Sequence, residues 1–110
     1  MPAAELERNF QGAVIDAARA LGWTVAHFRA ARTAHGWRTP VEADGKGFPD
    51  LCLVRDRVVF VELKRAKGKL TREQAAWVTK LRWAGAEVYV WRPADWDDAV
   101  QVLKRSELEA

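Results

Sequence analysis

The stretch that decides the fold runs from Gly47 to Lys64 and reads GFPDLCLVRDRVVFVELK. Two apolar runs flank the charged triplet Arg55-Asp56-Arg57. Branched and aromatic residues on either side of a short polar turn predict a β-hairpin, with strands at about 49 to 54 and 58 to 64. A turn of three residues, 55 to 57, pairs Val54 with Val58, Cys52 with Phe60 and Asp50 with Glu62. Residues two apart share a face of a strand. Glu62 and Lys64 therefore project on the side of Phe60, and Val59, Val61 and Leu63 on the other. Asp50, Glu62 and Lys64 meet on one face at the open end of the hairpin.

Two carboxylates with Cβ atoms about 5 Å apart repel each other unless a cation or a proton intervenes. A divalent metal removes the conflict: Mg²⁺ takes a few carboxylate oxygens and fills its other positions with water and phosphate oxygens. A neighbouring ammonium can hold the attacking water and offset charge as it develops. The pattern reads as a metal-dependent site for phosphodiester hydrolysis. Each half also has a plainer meaning, "PD" as a turn and E-x-K as a solvated salt bridge worth under about 1 kcal/mol. Their combination on paired strands favours the site.

Outward from the hairpin, the periodicities give an α/β fold of order α-β-β-β-α-β-α, a central mixed β-sheet flanked by helices. Residues 4 to 21 form a helix ended by Gly22, with Leu6, Phe10, Ala13, Val14, Ala17 and Leu21 on one stripe. Glu7 lies at the edge of that stripe, while Glu5, Asp16 and Arg19 point away. Trp23 to Phe28 alternates as a strand. Residues 29 to 47 have no sustained period and read as a long loop. Thr71-Arg72-Glu73-Gln74 has the form of a capping box opening a helix to about 84. Ala86 to Trp91 is a strand, and Asp95 to Arg105 a last helix. Of the six tryptophans, 23, 77, 83, 91 and 96 fall in regular elements and are expected in the core. Trp37, in the loop, suits either stacking on a base or covering a subunit interface.

The 110 residues, 49% apolar and 30% charged, suit a single domain over 1–110. No signal peptide and no apolar run long enough to span a bilayer is visible, so an intracellular protein with no membrane partner is expected. Cys52 is the only cysteine, which leaves no intrachain disulfide and, with two histidines, no ordinary zinc site. His27, at a strand end, reads as structural and His35 as solvent-exposed. The net charge of +3 is compatible with nucleic acid without requiring it. Its distribution says more: the run from Lys64 to Arg72 leaves the second strand and enters a helix N-terminus. Arg29, Arg32, Arg38 and Lys46 make the long loop basic too, and Lys67 and Lys69, with Arg65, Arg72, Arg29 and Lys46, are the expected DNA contacts.

Asp50 with Glu62-Leu63-Lys64 resembles the signature of the PD-(D/E)xK nuclease superfamily, and the element order is similar to its core. The closer resemblance is to the VRR-NUC family, the virus-type replication-repair nucleases. It rests on ERNFQ at 7–11, Gly22-Trp23 before a strand ending at His27, GFPDL, ELK with its basic turn, Gln74, and Trp91-Arg92-Pro93. The resemblance implies that Asp50, Glu62 and the backbone carbonyl of Leu63 bind Mg²⁺ or Mn²⁺. It further implies that Lys64 positions the water, that Glu7 supports the metal or its water, and that Gln74 completes the pocket. Gln74 has a second meaning as the partner of Thr71 in the capping box, though it shares a stripe with Trp77, Val78 and Leu81. The implied activity is a metal-dependent DNA endonuclease selective for branched DNA, like a Holliday-junction resolvase. The implied setting is a standalone homodimer, viral and acting in the cytoplasm of a bacterial host. The alternatives are a restriction-type duplex endonuclease and a non-catalytic nucleic-acid-binding module of the same fold.

Overall fold

The computed structural model describes residues 9–28 and 31–107. In chain order the elements are α1 (Phe10–Ala20), β1 (Thr24–His27), β2 (Ala31–Thr33), β3 (Gly36–Arg38), β4 (Leu51–Val54), β5 (Val58–Leu63), α2 (Arg72–Trp83), β6 (Glu87–Trp91) and α3 (Trp96–Lys104). The main sheet is mixed, in the order β1-β4-β5-β6, with β5 and β6 parallel and the other pairs antiparallel. The β4–β5 register pairs Val54 with Val58 and Cys52 with Phe60, as the three-residue turn requires. Asp50 and Glu62 stand one step beyond the last regular pair, Leu51 with Val61.

Alternation divides the sheet into two unlike faces. Leu51, Leu53, Val59, Val61 and Trp91 are buried with Phe10, Val14 and Ala18 of α1 and Ala99 and Leu103 of α3. That is the main core. Glu62 lies on the opposite face with Phe60, the face toward which α2 brings Val78. His27 pairs with Leu51 and so shares the core face rather than that of Asp50.

The turn end of the hairpin is fastened by arginines. Arg55 donates to the carbonyls of Leu21 and Leu103, both at 3.0 Å, and Arg57 to that of Val102 at 2.6 Å and to that of Arg105. Both guanidinium carbons sit over the Trp23 ring, at 4.5 and 4.9 Å from its centroid. The Trp23 indole itself donates to the Leu103 carbonyl at 2.9 Å. Carbonyls at the C-terminal ends of α1 and α3 thus receive side-chain donors.

Three expectations need correcting, and a fourth falls outside the described residues. The stretch from 29 to 47 is not structureless: it carries the β2–β3 hairpin, whose three-residue strands are too short to leave a period in sequence. Gly36, at φ 97°, supplies the left-handed residue its tight turn needs. The last helix begins at Trp96, because Pro93 opens a 3₁₀ turn over Pro93–Asp95 first. Trp83 does not enter the core; it ends α2 on the solvent side and is 86% exposed. The helix is described only from Phe10, so its expected start near residue 4, with Glu7, lies outside the described residues.

One glycine matters for the site. Gly47 has φ 87°, and a Cβ there would meet backbone atoms of Glu73 and Gln74 at 2.6 and 2.7 Å. The loop before Asp50 therefore rests directly on the first turn of α2. Gly47→Ala should cost about 2–4 kcal/mol, lowering the thermal midpoint by about 10 °C or more. Gly12, inside α1 with open space around it, gives the contrast: Gly12→Ala should raise stability by up to about 1 kcal/mol. Thermal unfolding followed by circular dichroism checks both signs.

Candidate active site

The Gly47-Phe48-Pro49 approach delivers Asp50 to the sheet in a fixed orientation. Pro49 is fully buried, and the Phe48 ring makes edge contacts with Phe28, Phe60 and Trp77 at centroid distances of 5.6, 5.8 and 5.0 Å. The Trp77 indole donates to the carbonyls of Asp44 and Lys46 at 3.0 and 3.1 Å, latching the loop to α2. Asp50 then reaches across the hairpin, where its Oδ2 accepts the Leu63 amide proton at 2.8 Å.

Glu62 is 1% exposed, and neither carboxylate oxygen has a hydrogen-bond partner among the described residues. Burial pushes its pKa up to about 8, the charge and side-chain contact of Asp50 add to the rise, and the Lys64 ammonium opposes it. A carboxylate in that position calls for a proton or a cation. No third histidine, cysteine, aspartate or glutamate joins the pair among the described residues. The pair still fits a divalent metal, whose hard charge takes oxygen donors and whose water completes its shell. Lys64 follows on the same strand face, half-buried, with its amide donating to the Trp91 carbonyl at 3.0 Å. The structure thus brings Asp50, Glu62 and Lys64 together, with the backbone of Leu63 between the last two.

Gln74 occupies the N3 position of α2. Its Oε1 accepts from the Thr71 amide at 2.8 Å while its own amide donates to Thr71 Oγ1 at 3.1 Å, so the capping box is complete. The residue also lines, with Asp50, a cavity of about 830 Å³ bounded by the segment from Trp37 to Phe48. Arg65, Lys67, Lys69 and Arg72 are exposed along the connection from β5 to α2. Arg92 donates to the Gly68 carbonyl at 2.7 Å and pins that basic turn. Lys46 is exposed and pairs with Glu73 at 3.5 Å. Glu7 and Arg29 lie outside the described residues. The sequence reasoning missed the Trp77 latch and the Gly47 seat; the only signal for the second was the glycine itself, placed just before the aspartate.

A family model for the VRR-NUC domain, a nuclease-type domain, matches residues 19–95. No curated protein and no solved structure matches the chain. The mixed four-strand sheet with flanking helices is compatible with a PD-(D/E)xK core. Among the described residues no helix is long and apolar enough to cross a membrane.

The Glu62 environment has a thermodynamic consequence. Without metal, the folded protein keeps a proton that the unfolded chain loses at its ordinary value of 4.5, so stability falls as pH rises from there to about 8. Glu62→Gln removes that slope. In EDTA the variant should overtake the wild type as pH rises, by a few kcal/mol near pH 8. Adding Mn²⁺ should raise the midpoint of the wild type and leave that of Glu62→Gln nearly unchanged. Thermal melts across pH, with and without metal, measure both effects.

Proposed function

The chain belongs to the VRR-NUC family, and on that premise we propose that it is a metal-dependent DNA endonuclease working through Asp50, Glu62 and Lys64. The observation that carries this reading is the buried Glu62 carboxyl beside Asp50, which has no hydrogen-bond partner among the described residues. Burying an uncompensated carboxylate costs several kcal/mol, a penalty that a structural role would not explain.

In this reading Asp50, Glu62 and the Leu63 carbonyl hold Mg²⁺ or Mn²⁺, with Glu7 supporting from the N-terminal segment. The ion, when bound, acts as a Lewis acid toward the phosphate and lowers the pKa of water. Lys64 orients the attacking water and balances negative charge as the new P–O bond forms and the ester bond breaks. Gln74, held by Thr71, forms the far wall of the pocket. Arg65, Lys67, Lys69 and Arg72 draw the phosphate backbone along the connection into α2, and Arg29 and Lys46 contact it from the loop. The substrate is branched DNA and the working form a homodimer, since cutting both strands of a four-way junction needs two such sites.

Labelled four-way junction, flap, duplex and single-stranded DNA, each with Mg²⁺, Mn²⁺ or EDTA, provide the test. Paired metal-dependent cuts in the junction are expected, with rates down about 100-fold or more in Asp50→Ala and Lys64→Ala. Tight DNA binding without metal-dependent cleavage would overturn the enzymatic reading. Light scattering across concentration checks the assembly, and a particle that stays at 12.4 kDa would sink the homodimer.

A further inference from the structure

The cavity beside Asp50 is lined by both carboxylate and aromatic side chains. Phe28, Trp37 and Val41 line it together with Asp50 and Gln74. These three apolar side chains are 42%, 68% and 47% exposed. Leaving aside the side chains of residues 31–33, which are not described, the Trp37 indole makes no hydrogen bond, ring contact or cation contact among the described residues. Holding a tryptophan in water forgoes one of the largest apolar burials a side chain can make. The strand that carries it pairs only with β2, outside the main sheet, so sheet architecture does not require an indole at this position.

The space, about 830 Å³, is within the range of small-molecule sites and has room for a nucleotide. Arg38 and Lys46 line it as well and offer positive charge to a phosphate, with Glu42 as the opposing carboxylate beside Asp50. In continuous duplex both faces of each base are covered by neighbours and only the groove edges are open. An indole can stack only on a base face that has lost its neighbour, and such stacking tolerates any base because each has a π-face.

We propose that Trp37 stacks on an unstacked base face close to the scissile phosphate, making the β2–β3 hairpin the element that separates branched or unpaired DNA from continuous duplex. The inference rests on the nuclease reading for its scissile phosphate, and it adds the chemical feature of the substrate that is selected. Two sources offer such a face: an unpaired nucleotide, or the terminal pair at a branch point.

The test uses 2-aminopurine, whose fluorescence reports stacking, placed at an unpaired flap position, at the branch point of a four-way junction and inside a duplex. Each DNA is titrated with the protein in Ca²⁺ and in EDTA. The wild type should change the fluorescence of the flap or the junction probe and not that of the duplex; the responding arm identifies the source. Trp37→Ala should abolish the change and weaken binding to that DNA about tenfold or more relative to duplex, while Trp37→Phe keeps most of both. Trp83→Ala, which removes a still more exposed tryptophan at the end of α2, should behave as wild type. Wild-type fluorescence and relative affinities in Trp37→Ala, or no probe response with the wild type on any DNA, would overturn the proposal. The readout is binding, so stacking without metal-dependent cleavage would defeat the nuclease reading alone. Cleavage whose branched-to-duplex ratio is unmoved in Trp37→Ala would defeat this inference alone.

Discussion

The hydrogen bond from the Leu63 amide to Asp50 Oδ2 extends the β4–β5 hairpin past its last regular pair and turns two strand ends into one object. Through it, the acid at the start of β4 is positioned against the strand that carries Glu62 and Lys64. The arrangement depends on register, because a slip of one residue would exchange the faces of β5 and put Glu62 in the apolar core. The core guards against such a slip: Leu51, Leu53, Val59 and Val61 are all fully buried on the other face. Placement of the charged end thus follows from packing of the apolar one.

The hairpin divides its labour along its length. At the turn, charge is used for cohesion: Arg55 and Arg57 are spread over a tryptophan ring and helix-end carbonyls, with every role accounted for by the fold. At the open end the Glu62 carboxyl is left without a hydrogen-bond partner, while the other buried side-chain polar atoms among the described residues are paired. Local conflict of this kind, surrounded by consistent packing, is the usual mark of a site kept for chemistry at some cost in stability.

Much of this was legible in the sequence because strand alternation and helix periodicity act over several residues. The register of Cys52 with Phe60, the apolar stripe of α1 and the capping box at Thr71 all follow from such patterns. The β2–β3 hairpin escaped because three-residue strands provide no period, and Trp83 misled because a tryptophan in a helix is ordinarily buried. The burial of Glu62 was partly readable, since its face was fixed by Phe60, but its isolation from donors depends on tertiary packing. The contact of Gly47 with α2 joins residues separated in sequence by the whole hairpin, and no local rule could supply it.

The clamp at the turn end also sets an order of events. The Trp23 indole, Arg55 and Arg57 each find an acceptor near the end of α3, between Val102 and Arg105. While the chain is being synthesised, these particular contacts wait until α3 has emerged, although Arg55 already has Leu21 and Asp56 as acceptors. Closing a contact across 80 residues is slow compared with forming a helix or a hairpin. The hairpin can therefore assemble before its arginines reach α3, and the arrival of that helix adds the remaining acceptors that fasten it. A helix packed on the sheet face opposite Glu62 thus helps to fix the hairpin that carries that carboxyl.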